Sequence, residues 1–174
     1  MLLEDEQTKT DIMFVPFTQN WVNSVWNLIK DDTESIPKSW PKTLDQLSAW
    51  SLGTRKQQTI SDRSLIISKS EEDGEYLPIG IITGDLVRGA NKDNFPGAQY
   101  GDVNIAYMIF KPFRGFGHAQ NALMQISQSW KQDGKKPMLR ISSDNLASRK
   151  VALNSGFKLF EAVQDNGRIL YIFK

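Results

Sequence analysis

Two glycines one residue apart, in Arg114-Gly115-Phe116-Gly117-His118-Ala119, are the residues of this 174-residue chain best suited to do chemistry. Without a Cβ, Gly115 and Gly117 let the backbone curl close to a ligand and point successive amide hydrogens inward. Those amides open a segment of helical periodicity, whose positive dipole end favours an anion, and Arg114 adds a mobile charge. A diphosphate is the natural guest. The same turn also occurs as a plain tight connection, so these residues alone leave ligand binding and a structural role equally open.

Other chemistries are narrowed by what is missing. No Gly-x-x-x-x-Gly-Lys-Ser/Thr loop occurs, and no second set of glycines completes a dinucleotide fingerprint after the first strand. No Gly-x-Ser-x-Gly elbow is present for a Ser-His-Asp hydrolase. Cysteine is absent and His118 is the single histidine, which removes disulfides, zinc fingers and Cys nucleophiles and argues against a His-based metal site. Inside the turn, His118 reads as a surface side chain beside the ligand rather than as a base.

The elements that must position the turn follow from periodicity. Ahead of it, Val103, Ile105, Tyr107 and Ile109 alternate with Asn104, Ala106, Met108 and Phe110, which is a strand with two distinct faces. Behind it, Ala119, Ala122, Leu123, Ile126 and Trp130 share one helix face, ended by Asp133-Gly134. Residues 138–143 form another strand. Asn145 then caps a helix that exposes Ser148 in its first turn and stops at Gly156-Phe157.

Upstream, residues 12–17 read as a first strand, and Val22, Val25, Trp26 and Ile29 as a helix face. The prolines of residues 35–41 make a loop, and Thr43-Leu44-Asp45-Gln46 has the form of a capping box opening a second helix. Trp21, Trp26, Trp40 and Trp50 crowd this region as packing rather than as a binding cage. Strands at 64–68 and 78–87 form a hairpin around Glu71-Glu72-Asp73-Gly74, and residues 88–100 read as a flexible loop. Two last strands flank Asp165-Asn166-Gly167. This order predicts an α/β (α+β) fold in one domain over residues 1–174, with residues 1–10 flexible.

Composition adds exclusions. The 21 Lys and Arg against 20 Asp and Glu give a net charge of +1, so no global electrostatic case exists for nucleic acid. The local cluster of Lys131, Lys135, Lys136 and Arg140 reads as a solvated helix end. No run approaches the roughly 18–20 apolar residues of a membrane span. The N-terminus is acidic where a secretory signal is basic, and the lack of cysteine fits a reducing compartment, so the expected location is cytoplasmic.

Taken together, the Arg-Gly-x-Gly-x-Ala turn, the preceding strand Ile105-Ala106-Tyr107-Met108-Ile109 and the Asn-x-x-Ser helix ending at Gly156-Phe157 resemble the GNAT superfamily of acyl-CoA N-acyltransferases. The combination looks most like the branch of ribosomal-protein alanine N-acetyltransferases, where Ser takes the position of Ser148. The resemblance implies a mixed, mostly antiparallel central sheet with helices on both faces and a splayed strand pair at the CoA site. It implies acetyl-CoA as cosubstrate, no metal, and an amine acceptor, either a small molecule or a peptide N-terminus, in a monomer or homodimer.

Carried over by position, Arg114, Gly115, Phe116, Gly117, His118 and Ala119 would bind the pyrophosphate. Backbone groups of Met108, Ile109 and Phe110 would pair with the pantetheine arm, Asn145 would meet it, and Ser148 would lie near the sulfur. The family's chemistry is usually direct attack of the amine on the thioester, with a strand amide stabilising the tetrahedral intermediate. Two positions depart from the common pattern. Asn104 stands where many members carry Glu, so Asp102, on the same strand face, is expected to act through a water placed by Asn104. Ala152 stands where a Tyr often protonates the thiolate, so Ser148 is the expected substitute. The acceptor would be shaped by residues 31–42, the second helix and residues 88–100. There Asp31, Asp32, Glu34, Asp85 and Asp93 are able to attract a cationic amine or simply to be solvated. A CoA-binding module without turnover and a Gly-rich nucleotide-binding domain are the competing readings.

Overall fold

The computed structural model describes residues 11–53, 62–70 and 72–174, so residues 1–10, with their expected flexibility, and Glu71 of the first hairpin turn lie outside the described residues. Seven strands form one sheet: β1 (Ile12–Pro16), β2 (Asp62–Lys69), β3 (Tyr76–Leu86), β4 (Asp102–Ile109), β5 (Lys136–Ser142), β6 (Leu159–Asp165) and β7 (Arg168–Phe173). Their spatial order is β1-β2-β3-β4-β5-β7-β6. Every neighbouring pair is antiparallel except β4 and β5. A parallel pair needs a crossover, and α3 (His118–Gln132) supplies it.

The alternation along β4 feeds two cores. Val103, Ile105 and Ile109 pack with Leu123 and Ile126 of α3 and with Ala152 of α4 (Leu146–Asn154). On the opposite face Met108 and Phe110 pack against α1 (Val22–Ile29) and α2 (Leu44–Ser51) through Val25, Leu47 and Trp50. Trp40 and Trp50 lie with ring centroids 5.4 Å apart and both are buried, so the tryptophans are packing, as their crowding predicts. Thr43 caps α2 by accepting from the Gln46 amide at 3.2 Å. The box is incomplete, because Gln46 Oε1 takes its bond from Lys42 N rather than from Thr43 N.

One expectation fails between β3 and β4. Residues 88–101 are not a loose loop: Gly89–Asn94 is a 3-10 helix, and Phe95 and Ala98 bury themselves against Val87, Met138 and Ile172 in a third, small core. Asn91 fixes the start of the segment to the end of β3, accepting from Arg88 N at 2.6 Å and donating to Leu86 O at 3.0 Å. Glycine, asparagine and aspartate dominate the composition here and hide two apolar anchors.

A close approach elsewhere explains a glycine inside a strand. A Cβ on Gly84 would lie 2.2 Å from Cη2 of Trp130, so the indole of α3 packs directly on the backbone of β3. The feature that matters most for function is where pairing stops. β4 and β5 are hydrogen-bonded only from Asp102↔Lys136 to Ile105↔Leu139. Beyond that point β4 keeps β3 as its partner while β5 turns to β7. The two parallel strands therefore part and leave a wedge between them.

Candidate active site

The glycine turn sits at the mouth of this wedge. Gly115 (φ 87°) and Gly117 (φ 77°) both adopt the left-handed backbone that favours glycine, and a Cβ at either would meet nothing within 4 Å. Their conformation, not crowding, is what requires glycine. Gly117 is the N-cap of α3 and offers no side chain to it. In consequence the amides of residues 115–120 have no hydrogen-bond acceptor among the described residues. Six successive donors at the start of a fifteen-residue helix are a strong anion receptor.

Side chains around the turn differ from expectation at two points. Arg114 is not a mobile charge: it forms an ion pair with Asp32 and donates from Nε to Ile109 O at 2.8 Å. His118 is not a surface side chain but is 7% exposed, with Nδ1 buried and without a partner, and burial lowers its pKa. It is a neutral group of the helix base.

Backbone polarity within the wedge follows from the β3–β4 register. Phe110 N donates to Ile79 O, and Ala106 O accepts from Thr83 Oγ1, so the even-numbered residues of β4 turn their peptide groups toward β3. Met108 and Phe110 are thereby spoken for. Of the three residues expected to face a ligand, Ile109 alone turns its peptide group to the open edge, where Tyr107 joins it and where Ile109 O already accepts from Arg114 Nε.

A cleft of about 390 Å³ continues from the wedge, lined by Ser35, residues 37–39, 104–107 and 139–142 with Asn145, Ser148 and Arg168. Asn145 caps α4, its Oδ1 accepting from Ser148 N at 3.1 Å. Its Nδ2 remains a donor on the cleft wall. Ala152 is fully buried, so no hydroxyl approaches from that turn of α4. A phenol arrives from the strand instead. The Tyr107 hydroxyl is buried without a partner in hydrogen-bond geometry; burial pushes its pKa up, while neighbouring Ser148 favours the ionised form.

Asn104 is in the cleft and accepts from Arg140 Nε at 3.1 Å. Asp102 is not. Its carboxylate is buried, pairs with Lys174 Nζ at 3.1 Å and accepts from Gln99 N at 2.8 Å. That charge is already compensated, and it holds the C-terminus and the 88–101 segment to the base of β4, so the expected relay from Asp102 through Asn104 is not what the structure builds. The carboxylate facing Asn104 belongs to Asp85, directly opposite on β3. It is 8% exposed, its Oδ1 has no partner, and burial pushes its pKa up to about 6 against the pull of Arg140 and Arg63.

Sequence reasoning offers Asp85 only as an attractor for a cationic amine and passes over Tyr107 and Arg140 as functional groups, yet Asp85 and Arg140 leave a signal. Asp85 is the one charge inside the apolar run of residues 78–87, and Arg140 is a guanidinium inside a strand. Arg140 does not belong with the basic helix end. Lys131 and Lys135 cover the rings of Phe157 and Trp130, whereas Arg140 stacks on Phe95, 4.8 Å from the ring centre, and borders the cleft. No group of three or more His, Cys, Asp or Glu able to hold a metal occurs among the described residues. No described helix is long and apolar enough to cross a membrane.

The family profile described as the acetyltransferase (GNAT) domain matches residues 11–158. No curated protein sequence matches. Among solved structures, the microcin C7 self-immunity acetyltransferase MccE, in complex with acetyl-CoA and AMP, superposes with a TM-score of 0.71 at 17% identity, covering 94% of this chain and 91% of its own. The aminoglycoside acetyltransferase AAC(6')-Ib, with ribostamycin and coenzyme A, gives 0.74 at 13% identity, covering 94% and 92%. RimL, a ribosomal L7/L12 α-N-protein acetyltransferase, gives 0.68 at 15% identity over 93% and 88%. At these identities the likeness is one of fold. With 148 consecutive residues matched to the profile, the wedge between β4 and β5 and the open amides before α3 fall into place, and the chain belongs to the GNAT acetyltransferase family, whose cosubstrate is acetyl-CoA.

Proposed function

We propose that this protein moves an acetyl group from acetyl-CoA to a primary amine by direct attack of the amine on the thioester. The observation that carries the reading is the continuity of three parts: six open amides at residues 115–120, the unpaired edge of β4, and the cleft beyond it. The amides would bind the pyrophosphate, with Gly115, Phe116, Gly117, His118 and Ala119 contributing through the backbone alone. The peptide groups of Tyr107 and Ile109 would pair with the pantetheine arm as a missing strand would, and Asn145 Nδ2 would meet it from α4. A strand amide on the same edge is a donor for the developing oxyanion.

Proton transfers are assigned by position. Tyr107, with Ser148 beside it, would give a proton to the departing thiolate, a role that the buried Ala152 cannot fill. Asp85, held behind Asn104 with one oxygen unbonded, would receive the proton that the amine must lose. The motif likeness to ribosomal-protein alanine N-acetyltransferases favours a peptide N-terminus as acceptor, and RimL is among the structures of similar fold. Release of CoA thiol from acetyl-CoA, followed by mass analysis of a panel of peptide and small-molecule amines, tests the reading. Tight CoA binding with no amine acetylated would make the protein a CoA-binding module instead.

A further inference from the structure

The charges that border the cleft are all of one sign. Lys38, Arg140 and Arg168 line it, and among the described residues no aspartate or glutamate does. The acids that stand nearest are already engaged. Asp32 is paired with Arg114, and Asp165 binds Arg168 at 3.1 Å. Asp144, exposed before α4, is held by the Ser142 hydroxyl and stands within electrostatic reach of Arg168 and Lys38, and Asp85 stands a strand away behind Asn104. None of the acidic residues that the sequence offers as attractors for a cationic amine lines the cleft itself.

Arg140 gives the patch its chemical definition. Its Nε is fixed on Asn104 Oδ1 and its guanidinium lies on the Phe95 ring, so its orientation is set. Neither Nη atom makes a hydrogen bond among the described residues. A guanidinium held in this way presents a planar fork matched to a carboxylate or a phosphate. Asp165 pulls on it more strongly than Arg168 repels it, and Asp85 adds to that pull, so this guanidinium already stands in a setting that favours anions. A polycation would meet Lys38 and Arg140 in the lining beside Arg168, whose charge Asp165 only shares.

Given acetyl transfer as proposed above, we infer that the acceptor amine carries an anionic group of its own, a carboxylate or a phosphate, seated on Arg140 and Arg168 with Lys38 at the rim. The amine nitrogen then reaches the β4–β5 wedge while the anion rests on the β5–β7 side of the cleft. An acidic peptide N-terminus and a phosphorylated small amine share this chemistry.

The test uses the full chain with acetyl-CoA and four amines. Three are amidated peptides of one length with Glu, Gln or Lys after an N-terminal Ala; the fourth is aminopropyl phosphate. The expected result is a kcat/KM for the Glu peptide, the phosphate or both that exceeds the Gln peptide by about tenfold, with the Lys peptide lowest and the spread shrinking as salt is raised. Preference between the first and fourth separates the carboxylate from the phosphate source. Arg168→Glu and Lys38→Glu should erase or invert the order while leaving the KM for acetyl-CoA unchanged. A best rate with the Lys peptide, no order at all, or an effect of these variants confined to acetyl-CoA would overturn the inference, and any such turnover would leave acetyl transfer standing. If no amine is acetylated, calorimetric binding of the same four probes to the CoA-loaded chain decides the matter separately. An acid preference there would uphold the charge class and overturn only turnover, and its absence would overturn both.

Discussion

Arg114 and Asp32, 82 residues apart in the chain, form an ion pair that ties the glycine turn before α3 to the connection between α1 and α2. Arg114 also reaches Ser35 Oγ at 3.5 Å, so its side chain serves the wall of the cleft rather than the anion receptor. Asp32→Asn and Arg114→Ala are expected to raise the KM of the acceptor by up to about fivefold, the scale of a partly exposed pair, with a smaller effect on acetyl-CoA. Two-substrate steady-state kinetics would show it. A larger shift for acetyl-CoA would mean that the guanidinium swings to the phosphates on binding.

Asp85 makes stability depend on pH in an unusual direction. Its carboxyl is protonated up to about pH 6 in the folded chain, against an ordinary value of 3.8, because burial disfavours the charge. The folded state therefore holds an extra proton between those values, and stability falls as pH rises from about 4 to about 6. Asp85→Asn should flatten that slope in urea titrations and be more stable at pH 7, by about 3 kcal/mol at most. If Asp85 also takes the amine's proton, the wild-type kcat/KM rises through about pH 6, the Asn variant loses that limb, and Asp85→Glu regains part of it.

Tyr107 and Ser148 should act as a unit. Tyr107→Phe removes only the buried hydroxyl, so its fold and CoA affinity should persist while kcat falls by about tenfold to a hundredfold. Ser148→Ala should cost less. The double variant should then be no worse than Tyr107→Phe alone, since contacting groups are not additive. Equal kcat for Tyr107→Phe and wild type would remove the phenol from the mechanism.

The contact of Trp130 on Gly84 offers a stability test remote from the cleft. Gly84→Ala puts a methyl 2.2 Å from the indole and is expected to cost about 1–3 kcal/mol in denaturant unfolding. Adding Trp130→Phe should recover part of that loss. A neutral Gly84→Ala would mean that α3 slides on the sheet more freely than its packing indicates.

How much of this was legible beforehand varies with the range of the interaction. Local signals held: the Thr43 cap, the Gly115 and Gly117 backbone, the Asn145 cap and the two faces of β4 are all settled within a few residues of sequence. Long-range pairing was not legible. Nothing near Asp102 announces that Lys174 will neutralise it, and nothing near Arg114 announces Asp32. The odd and even alternation of β4 gave the side-chain faces correctly, but which peptide groups face the wedge waited on the register with β3. Asp85 was visible as a charge in an apolar run, yet its place opposite Asn104 is a property of strand pairing.

The early end of the β4–β5 ladder at Ile105↔Leu139 has a consequence for how much of the protein a cell retains. A sheet left open in its middle is completed by a bound molecule rather than by the chain. Whatever fills the wedge contributes to folding by mass action, about 2.7 kcal/mol when its concentration is a hundred times its dissociation constant. Supply of that ligand would then set the lifetime of the protein as well as its rate, with starved molecules opening, and being degraded, at the wedge first.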